Sequence, residues 1–261
     1  MRLAELTTKE LAALFAAGPV VALLPVGSTE PHGPHLPLAT DTYISEEAAQ
    51  RAVPRLAAQG ISAVVAPSLP YGVTDYAGGF AGAVGVSAAV LTAMLTDLGS
   101  RLLREGFAHV CLVNNHLEPA HDAAVRAAAS ACPPGTVSVA CPLTRRWGRT
   151  LSEEFRRGNC HAGRYETSLV LARAAASASA GDVRAEYMNM RPLDVSLADG
   201  IRAGKRTFLE LGMDEAYTGA PALATRAEGD ELYALLAEMI VVEVTEALAG
   251  GAASASASAS A

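Results

Sequence analysis

The stretch Leu24–Asp41, LPVGSTEPHGPHLPLATD, decides how this chain is read. An apolar run ends there in Glu30, His32 and Asp41, set among glycines and prolines. The residues leading in, Val20-Val21-Ala22-Leu23-Leu24, are β-branched-rich and continuously apolar, which predicts a strand covered on both faces of a parallel sheet. The carboxylate and imidazole then fall at the strand's carboxyl end, where open α/β sheets hold their ligands. Glu30 and His32 are two residues apart, so an extended backbone sends both side chains the same way. Pro34 and Pro37 restrict the link to Asp41. These donors predict a metal site; a plain Gly-, Pro- and His-rich loop is the alternative.

Outward from this stretch, the chain alternates apolar runs with helical patterns. Thr7 or Thr8 with Glu10, Leu11, Leu14 and Phe15 predicts a capped first helix that stops at Gly18-Pro19. A second helix is expected over 41–59, so Asp41 falls near its start. Runs at 61–67, 107–113 and 137–141 predict three more strands, with a helix over 87–105 between the first two. After the strand ending at Val113 come Asn114-Asn115-His116-Leu117-Glu118-Pro119, where His116 and Glu118 repeat the two-residue spacing of Glu30 and His32. Two such strand ends are natural neighbours in a parallel sheet. His121 reads as a solvated residue opening the next helix. A third polar stretch, Asn159–Ser168, places His161 just before a buried helix and Glu166 in its first turn, where the helix dipole alone accounts for a carboxylate. The glycine-rich loop 70–82 reads equally as a substrate-side loop or a plain connection. Trp147, beside three arginines, reads as a covered aromatic or a pocket wall. The loop-rich 181–219 suits a cover over the site, and a final helix is expected over 228–248.

The 261 residues suffice for one large domain, taken as 1–249; the Ser/Ala-rich 250–261 reads as a disordered low-complexity tail. A net charge of −7 without a basic cluster argues against nucleic acid or an anionic membrane as partner and leaves a small molecule. No apolar run reaches the roughly 18 residues of a membrane span, and the N-terminus lacks a secretory profile. The four cysteines, Cys111, Cys132, Cys141 and Cys160, have no short paired spacing, so free thiols in a cytoplasmic protein are expected.

Taken together, Pro25–Glu30 with His32-Gly33 and His35–Pro37, Thr40-Asp41, Asn115-His116, and His161–Gly163 with Glu166–Ser168 resemble the creatininase (creatinine amidohydrolase) family along about residues 3–245. The resemblance implies an α/β class fold, a three-layer α/β/α domain around a mainly parallel sheet, assembled as a hexamer. It implies two divalent ions, zinc with zinc or manganese. Glu30 and His116 would hold one, His32 and Glu118 the other, with Asp41 bridging, and His161 would be the catalytic histidine. Imidazole and carboxylate donors suit both metals, which can bind water, lower its pKa and polarise a carbonyl. The activity implied is hydrolysis of a non-peptide C–N bond, in a cyclic amide or a formamide, with His161 and Glu118 as catalytic groups. Leu117, Arg157 and Cys160 stand where creatinine-opening members carry aromatics and a glutamate, which argues against creatinine itself. Two alternatives remain open: a deformylase- or peptidase-type branch, and a metal-binding or assembly protein without turnover.

Overall fold

The predicted apolar runs form the strands β1 (Val20–Val26), β2 (Ser62–Val65), β3 (His109–Asn114) and β4 (Val137–Ala140). All pair in parallel, in the order β2-β1-β3-β4. The structure, a computed structural model, describes residues 1–173 and 182–258, with side chains as far as Gly250. Its helices are α1 (Thr8–Ala17), α2 (Thr40–Ala57), α3 (Ala88–Glu105), α4 (Pro119–Ala131), α5 (Arg145–Gly148), α6 (Glu153–Arg157), α7 (Arg164–Ala172), α8 (Leu197–Arg202) and α9 (Arg226–Ser258).

Every residue of β1 is buried, and its alternation divides it between two cores. Val20, Ala22, Leu24 and Val26 meet Leu91 and Leu95 of α3 and Val125 of α4, with α1 packed alongside through Leu11, Leu14 and Phe15. Val21 and Leu23 meet Ile44 and Ala48 of α2, Leu169 of α7, and Tyr233 and Leu236 of α9. A strand apolar on both faces needs helices on both faces, and the result is the expected α/β/α sandwich. Thr7 caps α1 through the reciprocal box with Glu10: its hydroxyl accepts from Glu10 N at 3.3 Å while its own N–H donates to the Glu10 carboxylate at 2.7 Å.

The strand order fixes where a ligand can sit. From β1 the chain crosses to β2 on one side, then returns to β3 on the other, so the crevice of the sheet opens between the carboxyl ends of β1 and β3. There Val26 and Asn114 are register partners. The segments carrying Glu30 and His116 therefore leave the sheet side by side.

The last helix departs from expectation at both ends, starting at Arg226 and running through Ser258 rather than stopping at Leu248. Its alanines, the strongest helix formers, carry it across Gly250-Gly251. The expectation of a disordered tail over 250–261 falls largely on residues whose side chains, and for 259–261 the backbone, lie outside the described residues. Among the described residues no helix is long and apolar enough to cross a membrane.

Candidate metal centre

Glu30 and His32 lie in the loop after β1, Asp41 in the first turn of α2, and His116 just beyond β3; all four are buried. Asp41 stands between the two imidazoles. Its Oδ1 is 3.1 Å from His32 Nε2 and its Oδ2 is 2.9 Å from His116 Nδ1. Glu30 Oε1 lies 3.4 Å from the same His116 nitrogen. Four of the five donors expected from the first and second motifs therefore converge.

Backbone carbonyls set which nitrogen each histidine offers. His32 Nδ1 donates to the Glu30 carbonyl at 3.1 Å and His116 Nε2 to the Val73 carbonyl at 2.6 Å, which turns His32 Nε2 and His116 Nδ1 toward Asp41. Asp41 Oδ2 is buried and makes no hydrogen bond, although the imidazole nitrogen is adjacent. A buried carboxylate set between two imidazoles is a donor set that suits a shared divalent cation.

The electrostatics agree. Burial would depress both imidazoles, but the carboxylates outweigh it: Asp41, Glu166 and Glu30 raise His32 to about 10, and Glu30, Asp41 and Glu118 raise His116 to about 10. The two imidazoles in turn overcome burial at Asp41 and hold it well below the usual carboxylate range. Protons held this tightly occupy the place that a divalent ion takes at such a site.

The remaining carboxylates stand differently around the two histidines. Glu118, expected with His32, instead accepts N–H bonds from Asp75 and Tyr76, each at 3.2 Å, and belongs to no group of converging donors. Glu166 is the carboxylate beside His32: its Oε2 lies 3.6 Å from His32 Nε2 and accepts from Ala162 N at 2.6 Å. The converging groups are Glu30, Asp41 and His116; His32, Asp41 and Glu166; and Glu30, His32 and His161. The helix dipole explained Glu166 well enough to hide it; only its three-dimensional neighbours reveal it. Burial raises Glu166 to about 8 and Glu118 to about 7, as four carboxylates share one site.

His121, expected to be solvated, is fully buried. Its Nδ1 accepts from Val73 N at 3.2 Å and its Nε2 donates to Asn114 Oδ1 at 3.1 Å, while burial and the nearby His116 drive its pKa down to about 2. The same Asn114 clasps the backbone of His116 at both N and O, 3.1 Å each. The loop 70–82 is no plain connection either. It supplies the Val73 carbonyl, the Thr74 hydroxyl that donates to Glu30 Oε2, and the two amides on Glu118. The glycines signal it: a Cβ on Gly72 would sit 2.5 Å from His121 Nδ1.

His161 faces this cluster from the turn before α7. Its Nε2 donates to the Pro31 carbonyl at 3.0 Å, its Nδ1 is 3.8 Å from Glu30 Oε1, and burial pushes its pKa well below the usual value. The ring lies between those of His32 and Phe208, with centroids 4.5 and 4.3 Å away. Above the donors opens a cavity of about 590 Å³. Leu197 and Ile201 of α8 and Phe208 form part of its wall, so the segment expected to cover the site lines it between Leu197 and Phe208. Trp147 stays outside: its indole N–H donates to Glu243 Oε1 at 2.6 Å on α9, and Arg146 lies 4.7 Å over its ring.

With this geometry in hand, likeness to known proteins becomes informative. A mycofactocin precursor peptide peptidase of Mycobacterium tuberculosis is 32% identical over 230 residues, 85% of this chain and 83% of that one. The creatinine amidohydrolase of Pseudomonas putida is 36% identical over 119 residues, 44% of each. A solved structure titled as a manganese creatininase superposes with a TM-score of 0.63 at 24% identity, covering 94% of this chain and 97% of the other. The family description "creatinine amidohydrolase" matches residues 4–244, a span that takes in every converging donor. From its parallel sheet to the last of those donors, this chain belongs to the creatininase family.

Proposed function

We propose that the chain is a dinuclear-metal amidohydrolase that uses water to cut an amide C–N bond of a small molecule. In this reading Glu30, Asp41 and His116 hold one divalent cation and His32, Asp41 and Glu166 the other; oxygen and nitrogen donors suit zinc or manganese. The observation that carries it is the Asp41 carboxylate, with one oxygen on each histidine at 3.1 and 2.9 Å. When bound, such ions lower the pKa of a water and polarise the carbonyl that it attacks.

The chain's own groups move the protons. Glu118, oriented by the Asp75 and Tyr76 amides and lining the cavity, accepts the proton of the attacking water on a carboxylate oxygen. His161 has Nε2 committed to Pro31, so Nδ1 carries the lone pair that takes up a proton released from the attacking water and hands it on to the departing nitrogen. The flanking His32 and Phe208 rings keep that imidazole from swinging away. Leu117, Leu197 and Phe208 exclude bulk water from the wall side.

The bond we favour is a non-peptide one, in a cyclic amide or formamide other than creatinine, since Leu117 and Cys160 give this cavity aliphatic and thiol surface. A peptide bond is the second reading, favoured by the peptidase likeness over 85% of the chain. Elemental analysis of protein purified without chelator should give about two metal equivalents. A panel of hydantoins, lactams, N-formylated aminopyrimidines and short apolar peptides then separates the readings. His161→Ala should keep the metals and cut turnover about 10²–10⁴-fold. Folded protein that binds no metal would defeat both readings.

A further inference from the structure

The wall of the cavity is apolar, formed by Leu117, Phe155, Leu197, Ile201 and Phe208, and is interrupted by Arg126 and Arg156. Arg126 has a local counter-charge: its Nε donates to Asp122 Oδ2 at 2.8 Å, and Asp122 lines the same cavity. Arg156, in the last turn of α6, makes no ion pair or side-chain hydrogen bond among the described residues, whereas Arg157 beside it pairs with Glu153.

The charges can be counted on the reading proposed above, on which this inference rests. Two divalent cations offset the four carboxylates of Glu30, Asp41, Glu118 and Glu166, and Asp122 offsets Arg126. Among the described residues lining the cavity, Arg156 is then the charge without a counterpart. A guanidinium presents its donors in a planar fork that matches a carboxylate. A dianionic phosphate would exceed the single free charge. The volume, about 590 Å³, falls in the range of about 300–1,000 Å³ that encloses drug-sized ligands, far more than one small ring fills.

We infer that the substrate is a monoanionic amide whose apolar body lies against Leu117, Ile201 and Phe208 and whose carboxylate pairs with Arg156. Such a substrate meets three surfaces in turn: cations at the scissile bond, hydrocarbon along its middle and a guanidinium at its far end. Arg156 is a specificity residue, remote from the proton transfers.

Calorimetric titration of zinc-loaded protein with 6-acetamidohexanoic acid and with 6-acetamidohexanamide isolates the charge, because the two probes share their scissile-type amide and apolar spacer. The acid should bind about 5–10-fold more tightly than the amide. Arg156→Gln should bring that ratio close to one while leaving metal content and affinity for the amide unchanged; Arg156→Lys should restore part of it. An acid preference that survives Arg156→Gln would assign the carboxylate to the metals and overturn the inference, as would equal binding of the two probes or no binding of either. Metal analysis of the same samples separates this outcome from failure of the metal centre itself.

Discussion

On the floor of the cavity His32, His116 and Glu118 are each held by a backbone carbonyl or amide, whereas on the wall Leu117 and Ile201 make only van der Waals contact and Arg156 has no partner among the described residues. The floor hangs from β1, β3 and the start of α2, all buried; the wall comes from short helices and their links. A rigid floor keeps one reaction geometry, while a loosely held wall is free to change its substrate, which is how one fold serves several chemistries. The likeness to both a creatinine amidohydrolase and a peptide peptidase is what that division leads one to expect.

The largest effect should come from Asp41→Asn. Asp41 is shared by two donor groups, so the substitution should empty both, and turnover should fall by more than about 10⁴-fold with metal content near zero on elemental analysis. Retention of both metals would mean that the floor is not organised around this carboxylate.

Next in size is the contrast between Glu118→Gln and Glu166→Gln. Glu118→Gln should keep both metals and lose about 10²–10⁴-fold in turnover, while Glu166→Gln should lose one metal equivalent. Burial lifts the Glu118 carboxyl to about 7, and nearby cations would pull it down. Because it works as a base, kcat/KM should rise with pH through an acid limb at or below about pH 7, and Glu118→Gln should flatten that limb. The opposite metal stoichiometry would favour the pairing of Glu118 with His32 that the family resemblance implies.

The smallest effect should come from Thr74→Val, which removes the hydroxyl bonded to Glu30 Oε2 and nothing that touches a cation. Metal affinity, measured by competition with a chelator, should fall about 10–100-fold with stoichiometry intact. An unchanged affinity would show that this loop does not orient the floor.

The same division governs what the sequence discloses. The strands and the positions of Glu30, His32, Asp41 and His116 were legible because burial on both faces leaves continuous apolar runs, and ligand-type residues at strand tips stand out against them. Glu118 does not follow the simple two-residue spacing read at the strand end, since alternation holds only while the chain stays extended and here amides from a distant loop orient its carboxylate. Glu166 and His121 each had an ordinary local explanation, a helix dipole and a helix start. Their burial beside His32 and His116 depends on contacts far along the chain. The wall was illegible for a simpler reason: Leu197 and Ile201 sit in a helix too short to carry a periodic signal, and Leu143 sits in a turn.

The long helix α9 packs against both α2 and α7, so tightly at Gly229 that a Cβ there would lie 1.9 Å from the Ser168 carbonyl oxygen. Those two helices begin with the residues that place Asp41 and Glu166. The far end of the chain therefore supplies packing that holds both of those helices in place. Truncating the C-terminus would thus disarm a centre whose own donors it never touches.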